Sequence, residues 1–303
     1  MKCCALLKLA IAIGVIHGVL LMNFQPGIAQ TGVIIVAHGS PSARWNRVVA
    51  EVVDAVKERL AKDSQICGVR LGYLEMAKPT IADAVAELTA QGCRRIVAVP
   101  MFIAASGHVQ YDVPVVLGVL HDPKIAEKLR EEGIALVQPE IPIMLTPPLS
   151  ETRALDEYAL SEAKRLSRDP KREALLLLLH GDDEFQPNLD GLARRVIDYV
   201  QSETGISAGD WCFIGVGQGY GPNAIPKIRE MISKGKRVIV VALFVASSAR
   251  QFHDRWVEQD AGGDDPLWDR DVDFSDRLLV RHPALVNNLV KLVQHAIARN
   301  FGH

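Results

Sequence analysis

The sequence is short of cysteine, of net charge and of long apolar runs, and each shortage removes a class of function. Of five cysteines, Cys3 and Cys4 fall in the first thirty residues, leaving Cys67, Cys93 and Cys212 with no CxxC pair. Such a set is neither a disulfide framework nor a zinc or iron–sulfur signature. The apolar neighbours of the three read as buried, inert thiols, although an oxidising compartment would permit one disulfide. A formal net charge of −2, with the charges spread along the chain, offers no basic field for nucleic acid. No glycine-rich phosphate loop of either common type is present, which argues against nucleotide chemistry.

The longest apolar run, residues 9–22, is 14 residues, short of the roughly 20 that span a bilayer. Lys2 and Lys8 precede it and the small residues Gly27 and Ala29 follow, the layout of a cleaved signal peptide. An uncleaved anchor and a non-targeting start are the alternatives. Residues 1–30 are thus set apart from the fold, with export to the periplasm expected and membrane contact only if the segment is retained. The rest has the composition of a soluble globular protein, and 303 residues suffice for two domains.

What the sequence does contain is organised around Val33-Ile34-Ile35-Val36-Ala37-His38-Gly39-Ser40. A short apolar run closed by a turn signal reads as a strand buried on both faces. His38 then stands at its carboxyl end, the rim where open α/β sheets bind ligands. The arrangement returns at Leu175 to Leu179 followed by His180-Gly181-Asp182, 142 residues on. Val99, Phe102, Ala104, Ser106 and Asp112 recur at the same offset as Val241, Phe244, Ala246, Ser248 and Asp254. The pattern is an old duplication into two similar α/β lobes facing a cleft, a favoured place for a ligand.

Helical periodicity marks 43–61, 79–90 (opened by Pro79), 113–120, 123–132, 151–166, 189–201, 222–233, 251–258 and 283–298. Strands are expected at 33–37, 69–74, 96–102, 134–137, 175–179, 211–216, 238–244 and 277–280, and alternation at this spacing implies parallel sheets covered on both faces. The proline-rich stretch 138–149 reads as a linker, dividing an N-terminal lobe at 31–147 from a C-terminal, degenerate repeat at 148–303.

In the first half His38, Glu75 and His108 each stand at the carboxyl end of a strand or in the loop after it. Two imidazoles and a carboxylate suit Co²⁺, Fe²⁺, Ni²⁺ or Zn²⁺, and three protein ligands leave coordination positions open, as in a reactive site. The same groups can accept protons near neutral pH. If both rings share one ion they must lie within about 4–5 Å, since each bond is roughly 2 Å. The plainer readings are capped surface histidines and a Glu75–Lys78 ion pair. A rival reading has Ser40 with Gly39 hold an anion at the next helix N-terminus. In the second half His180 matches His38, whereas Arg250 falls opposite His108 and Gly217 opposite Glu75. Arg250 and Arg255 suit the carboxylates of a substrate, the alternative being a surface salt bridge. Whether His180 and His253 make a second metal site is left open.

These residues resemble a known family. Val36-Ala37-His38-Gly39-Ser40, Leu74-Glu75-Met76-Ala77-Lys78-Pro79-Thr80-Ile81, Val99-Pro100-Met101-Phe102, Gly107-His108 and Asp112-Val113-Pro114 are similar, in order and spacing, to the sirohydrochlorin cobaltochelatases and ferrochelatases of the CbiX type. The resemblance covers most of residues 33–150. It implies a class II chelatase fold of two flavodoxin-like lobes and ATP-independent insertion of a divalent metal, Co²⁺, Fe²⁺ or Ni²⁺, into a tetrapyrrole such as sirohydrochlorin, the metal being substrate. On that reading His38 and His108 bind the metal and take the pyrrole N–H protons, Glu75 completes the site, and a cleft arginine, Arg250, holds the carboxylate rim of the macrocycle. The family's iron–sulfur segment has no counterpart here, and its synthesis role is cytoplasmic whereas the leader predicts export. An exported, non-catalytic metal or tetrapyrrole carrier is therefore the rival hypothesis. The sequence sets no oligomeric state.

Overall fold

A computed structural model describes residues 30–215, 219–260 and 268–299. Residues 1–29 of the expected leader at 1–30, Val216 at the end of an expected strand and Gly217 opposite Glu75 lie outside the described residues. In chain order the elements are β1 (Thr31–Ala37), α1 (Ala43–Leu60), β2 (Ile66–Tyr73), α2 (Ile81–Ala90), β3 (Arg95–Pro100), a π-helical turn His108–Asp112, α3 (Val113–Val116), α4 (Pro123–Glu131), β4 (Ile143–Leu145) and α5 (Ala154–Leu166). The second half continues with β5 (Glu173–His180), α6 (Gln186–Thr204), β6 (Ala208–Ile214), α7 (Tyr220–Ser233), β7 (Arg237–Ala242), α8 (Ala249–Asp260), α9 (Trp268–Asp271), β8 (Val272–Phe274) and α10 (Pro283–Ala298).

Each half forms a four-stranded sheet, in the orders β2-β1-β3-β4 and β6-β5-β7-β8, and every pairing is parallel. The central strands have helices on both faces, which is why they read as unbroken apolar runs. Ile34 and Val36 face a core built with α2, α3 and α4, while Val33 and Ile35 face a second core shared with α1 and α10. The first and third strands of each sheet are neighbours, so the order reverses beside β1 and beside β5. That switch point opens a crevice at the strands' carboxyl ends.

Four expectations are corrected. Residues 134–137 are not a strand: Ile134, Leu136 and Val137 pack into the outer core, and the Val137 amide donates to the Val116 carbonyl. The fourth strand comes instead from inside the presumed linker, as β4. Its flanks join the sheet as well, the Pro142 carbonyl accepting from Ile96 N and Thr146 N donating to the Ala98 carbonyl. A strand this short at a sheet edge tolerates neighbouring prolines, whose missing donors are not needed there. In the second half β8 precedes the expected 277–280, where Leu279–Arg281 forms a 3₁₀ turn with Leu279 and Val280 in the core. A short apolar run does not distinguish strand from buried turn. Pro79 lies before α2 rather than in it, after a cis Lys78–Pro79 bond, and Thr80 caps that helix through a reciprocal pair of bonds with Asp83. Finally, Cys67 and Cys93 are not inert thiols but a disulfide, with Cα atoms 6.0 Å apart. Only Cys212 fits the expectation: it is free and buried, and burial pushes its thiol up to about 12.

The two repeats exchange their last helices, α5 after β4 and α10 after β8. Helix α10, last in sequence, packs on α1 and β3 of the first lobe, while α5, which precedes the second sheet, packs on α6 and β7. The two helices also meet each other, so one continuous apolar core runs from β1 through α5 and α10 to β5. Among the described residues no helix is long and apolar enough to cross a membrane.

Candidate metal centre

His38 follows directly on β1, whose carbonyls anchor the neighbouring loop. Leu74 N donates to the Ala37 carbonyl at 2.8 Å and Glu75 N to the His38 carbonyl at 3.0 Å. The chain must pass very close here, and Gly39 permits it. Its φ is +94°, and a Cβ would lie 1.9 Å from the Glu75 carbonyl oxygen. This crossing brings the Glu75 carboxylate to His38, with Nε2 to Oε1 at 3.2 Å. The other ring nitrogen, Nδ1, lies 2.9 Å from the Gly39 carbonyl, which can only accept, so Nδ1 is the donor in that bond.

His108 reaches the same place from the other side of the switch point. It opens the π-helical turn after β3 rather than lying in a loop, and its Nδ1 bonds Asp112 Oδ2 at 2.7 Å, four residues on. That bond, which favours the protonated ring, holds the His108 pKa above the ordinary histidine value against an opposing effect of burial. The His38 and His108 ring centroids are 4.8 Å apart, within the separation that a shared ion allows, and the rings are inclined at 75°. Phe102 packs beside both, 6.5 and 6.3 Å away. His38 thus meets both Glu75 and His108, and the three side chains are 34%, 23% and 39% exposed, open enough for an incoming ligand. Among the described residues no group of three His, Cys, Asp or Glu side chains is placed, as it stands, to hold a metal ion. Glu75 Oε1 instead lies against His38 Nε2 at 3.2 Å.

The histidines face a cavity of about 690 Å³ between the lobes, lined by residues that follow β1, β3, β5 and β7. Its walls carry apolar faces on both sides, with Phe102 and Met101 on one and Phe244 and Leu179 on the other, and Phe102 and Phe244 are equivalent in the repeat. His180 lines it too, its Nδ1 at 2.8 Å from the Gly181 carbonyl and its ring 6.2 Å from Phe244, repeating the His38–Phe102 relation. Across the mouth Tyr111 donates to Glu184 at 2.8 Å, joining the π turn of one lobe to the start of α6 in the other.

Other expected site residues are elsewhere. Arg250 does not line the cleft: its guanidinium lies over the Phe274 ring at 5.1 Å and within 3.9 Å of Asp254. Arg255 stacks on Phe252 at 4.9 Å. Ser40 serves the turn into α1, accepting from Ser42 N at 3.1 Å while its carbonyl accepts from Asn46 at 2.7 Å. His253 is buried beneath α8, stacked on Phe274 at 4.2 Å, and burial lowers its pKa. It does not line the cleft in which His180 stands. Asp112 and Lys128, both at the cleft, were not expected there. The Asp112 role was visible in its spacing of four from His108; nothing in the sequence distinguishes Lys128 from other helix lysines.

Residues 32–166 match the CbiX family model. The sirohydrochlorin cobaltochelatase of Saccharolobus solfataricus is 36% identical over 118 residues, which are 39% of this chain and 81% of the relative. The chain belongs to the CbiX family of chelatases. A sirohydrochlorin cobaltochelatase from Methanococcoides burtonii, 28% identical over 134 residues, aligns along 95% of its own length and 44% of this chain. Both alignments are shorter than half of the chain. The two-lobed fold has its own counterpart: SirB from Bacillus subtilis with Fe³⁺ superposes with a TM-score of 0.68 at 17% identity, over 89% of this chain and 96% of that one. Two flavodoxin-like parallel sheets facing a cleft are thus the CbiX-type class II chelatase fold.

Proposed function

We propose that this chelatase inserts a divalent metal ion into a tetrapyrrole held in the inter-lobe cleft, with sirohydrochlorin the first substrate to test and Co²⁺ the first metal, ahead of Fe²⁺ and Ni²⁺. The observation that carries the reading is the facing pair His38 and His108, 4.8 Å apart beside Glu75. The reaction exchanges one metal ion for two pyrrole N–H protons, so metal ligands and proton acceptors must occupy one place. Imidazole nitrogens can do either task, and Glu75 supplies negative charge where the dication arrives. The apolar walls suit the flat face of a macrocycle and exclude water from the reacting nitrogens. No step calls for ATP.

The test follows absorbance as metal enters sirohydrochlorin, with Co²⁺, Fe²⁺ and Ni²⁺ in parallel. Acceleration that His108→Ala removes by at least about a hundredfold supports the assignment. An unchanged rate in that variant overturns it. Tight metal or tetrapyrrole binding with no insertion above the uncatalysed rate selects the carrier reading instead.

Export is part of the proposal. The leader composition suggests it, and the Cys67–Cys93 disulfide supports it, because such bonds persist mainly in oxidising compartments. Fractionation of the expressing cells, with mass spectrometry of the mature N-terminus, separates a cleaved periplasmic form from an anchored or cytoplasmic one.

A further inference from the structure

The cleft carries its charge unevenly. Among the described residues that line it, Lys128 is the one lysine or arginine, and three aspartates are the other formally charged groups. Asp112 is already engaged by His108 at 2.7 Å. Asp182 and Asp183 lie on the opposite wall, after β5, with no lining cation beside them. The arginines expected to hold substrate carboxylates are committed elsewhere, to Phe274 with Asp254 and to Phe252.

Lys128 is well suited to take over that task. It projects from α4 on the His108 side, close enough that its charge acts on the His108 ring. Its ion pair is with Glu132, one turn on, at 3.7 Å, with the two side chains 59% and 44% exposed. A pair so long and so solvated is weak and screened, so the ammonium can move to another carboxylate at little loss. Its four-carbon stem gives the reach to do so.

On the chelatase reading, we propose that Lys128 anchors the peripheral carboxylates of the tetrapyrrole, and that Asp182 and Asp183 repel them. A macrocycle whose carboxylates are unevenly distributed then enters with its more acidic edge toward α4 and its less acidic edge toward the second lobe. The cleft therefore selects among tetrapyrroles by how their carboxylates are distributed, and one lysine sets the orientation presented to His38 and His108.

Fluorescence titration of metal-free tetrapyrrole into the full chain tests this, with sirohydrochlorin and its fully esterified form as probes. Lys128→Met is expected to weaken binding of the acid form about fivefold to tenfold and to leave the ester unchanged. Asp183→Asn should tighten the acid form about twofold to threefold, and raised salt should shrink both effects. Circular dichroism and a melting curve verify that the exposed substitutions leave the fold intact. Equal affinity of wild type and Lys128→Met for the acid, equal losses for acid and ester, or no binding of either probe by wild type would overturn the inference. Binding is read without metal, so the two proposals fail separately. Lysine-dependent binding without insertion rejects the chelatase reading alone, and insertion with a lysine-independent affinity rejects the anchor alone.

Discussion

His108 is the residue whose chemistry depends most on one neighbour. Its hydrogen bond to Asp112 favours the imidazolium, so the folded pKa lies above the ordinary value of about 6.5. The pair accordingly stabilises the fold most at pH below that ordinary value, and the stabilisation is lost as pH rises through the raised folded pKa. Metal binding and proton uptake both need the neutral ring. Insertion should therefore increase with pH across the raised pKa, and Asp112→Asn should move that midpoint down, measured by NMR titration of the ring and by the pH profile of kcat/KM. An unmoved midpoint would separate Asp112 from His108 function. Gly39 makes a different prediction. Gly39→Ala forces a Cβ against the Glu75 carbonyl oxygen in a left-handed backbone, and neither backbone segment can yield cheaply. Denaturant unfolding should show a loss of at least about 2 kcal/mol, together with reduced metal affinity as Glu75 is pushed from His38. His38 and Glu75 were legible because both stand at strand ends. Arg250 was misleading because the repeat offset fixes position along the chain, not the direction of a long side chain.

At the scale of elements, the π turn after β3 matters most. Five residues wound as a π turn point His108 at the cleft, bring Asp112 back beneath its ring and send Tyr111 across to Glu184. π turns recur at functional sites because the extra residue re-aims its neighbours. Periodicity located the following apolar helix but not this turn, whose geometry leaves no distinctive spacing. The disulfide is a second element-scale device. It ties the start of β2 to the segment entering β3, closing a loop of 26 residues at the end of the sheet away from the histidines. Cys93→Ala, or reduction, should lower stability by about 3 kcal/mol, read as a fall in Tm, while leaving the metal site assembled. A parallel loss of metal binding would show that the staple also shapes the rim.

The whole molecule is held by exchange. Because α10 covers the first sheet and α5 covers the second, neither sheet is covered by the helix that ends its own repeat. Leu289, fully buried on α10, belongs to the continuous core, and Leu289→Ala should cost about 2–5 kcal/mol and lower a single, shared unfolding transition. Two separated calorimetric transitions would contradict that coupling. A fragment ending at residue 147 is expected to expose the α1 face of its sheet and to aggregate or pair.

The sequence by itself determined what is periodic or local. Apolar runs buried on both faces specify the central strands, the 142-residue offset specifies two like halves, and strand-end positions nominate His38, Glu75 and His108. Tertiary structure alone decided what depends on contacts distant in sequence. Those are the pairing of Cys67 with Cys93, the recruitment of β4 from a proline-rich stretch, the exchange of α5 and α10, and the charge of the cleft. The physical reason is that spacing along a chain dictates which face a residue occupies, while the partner across a sheet edge or a cleft is set by the global packing that buries the most apolar surface.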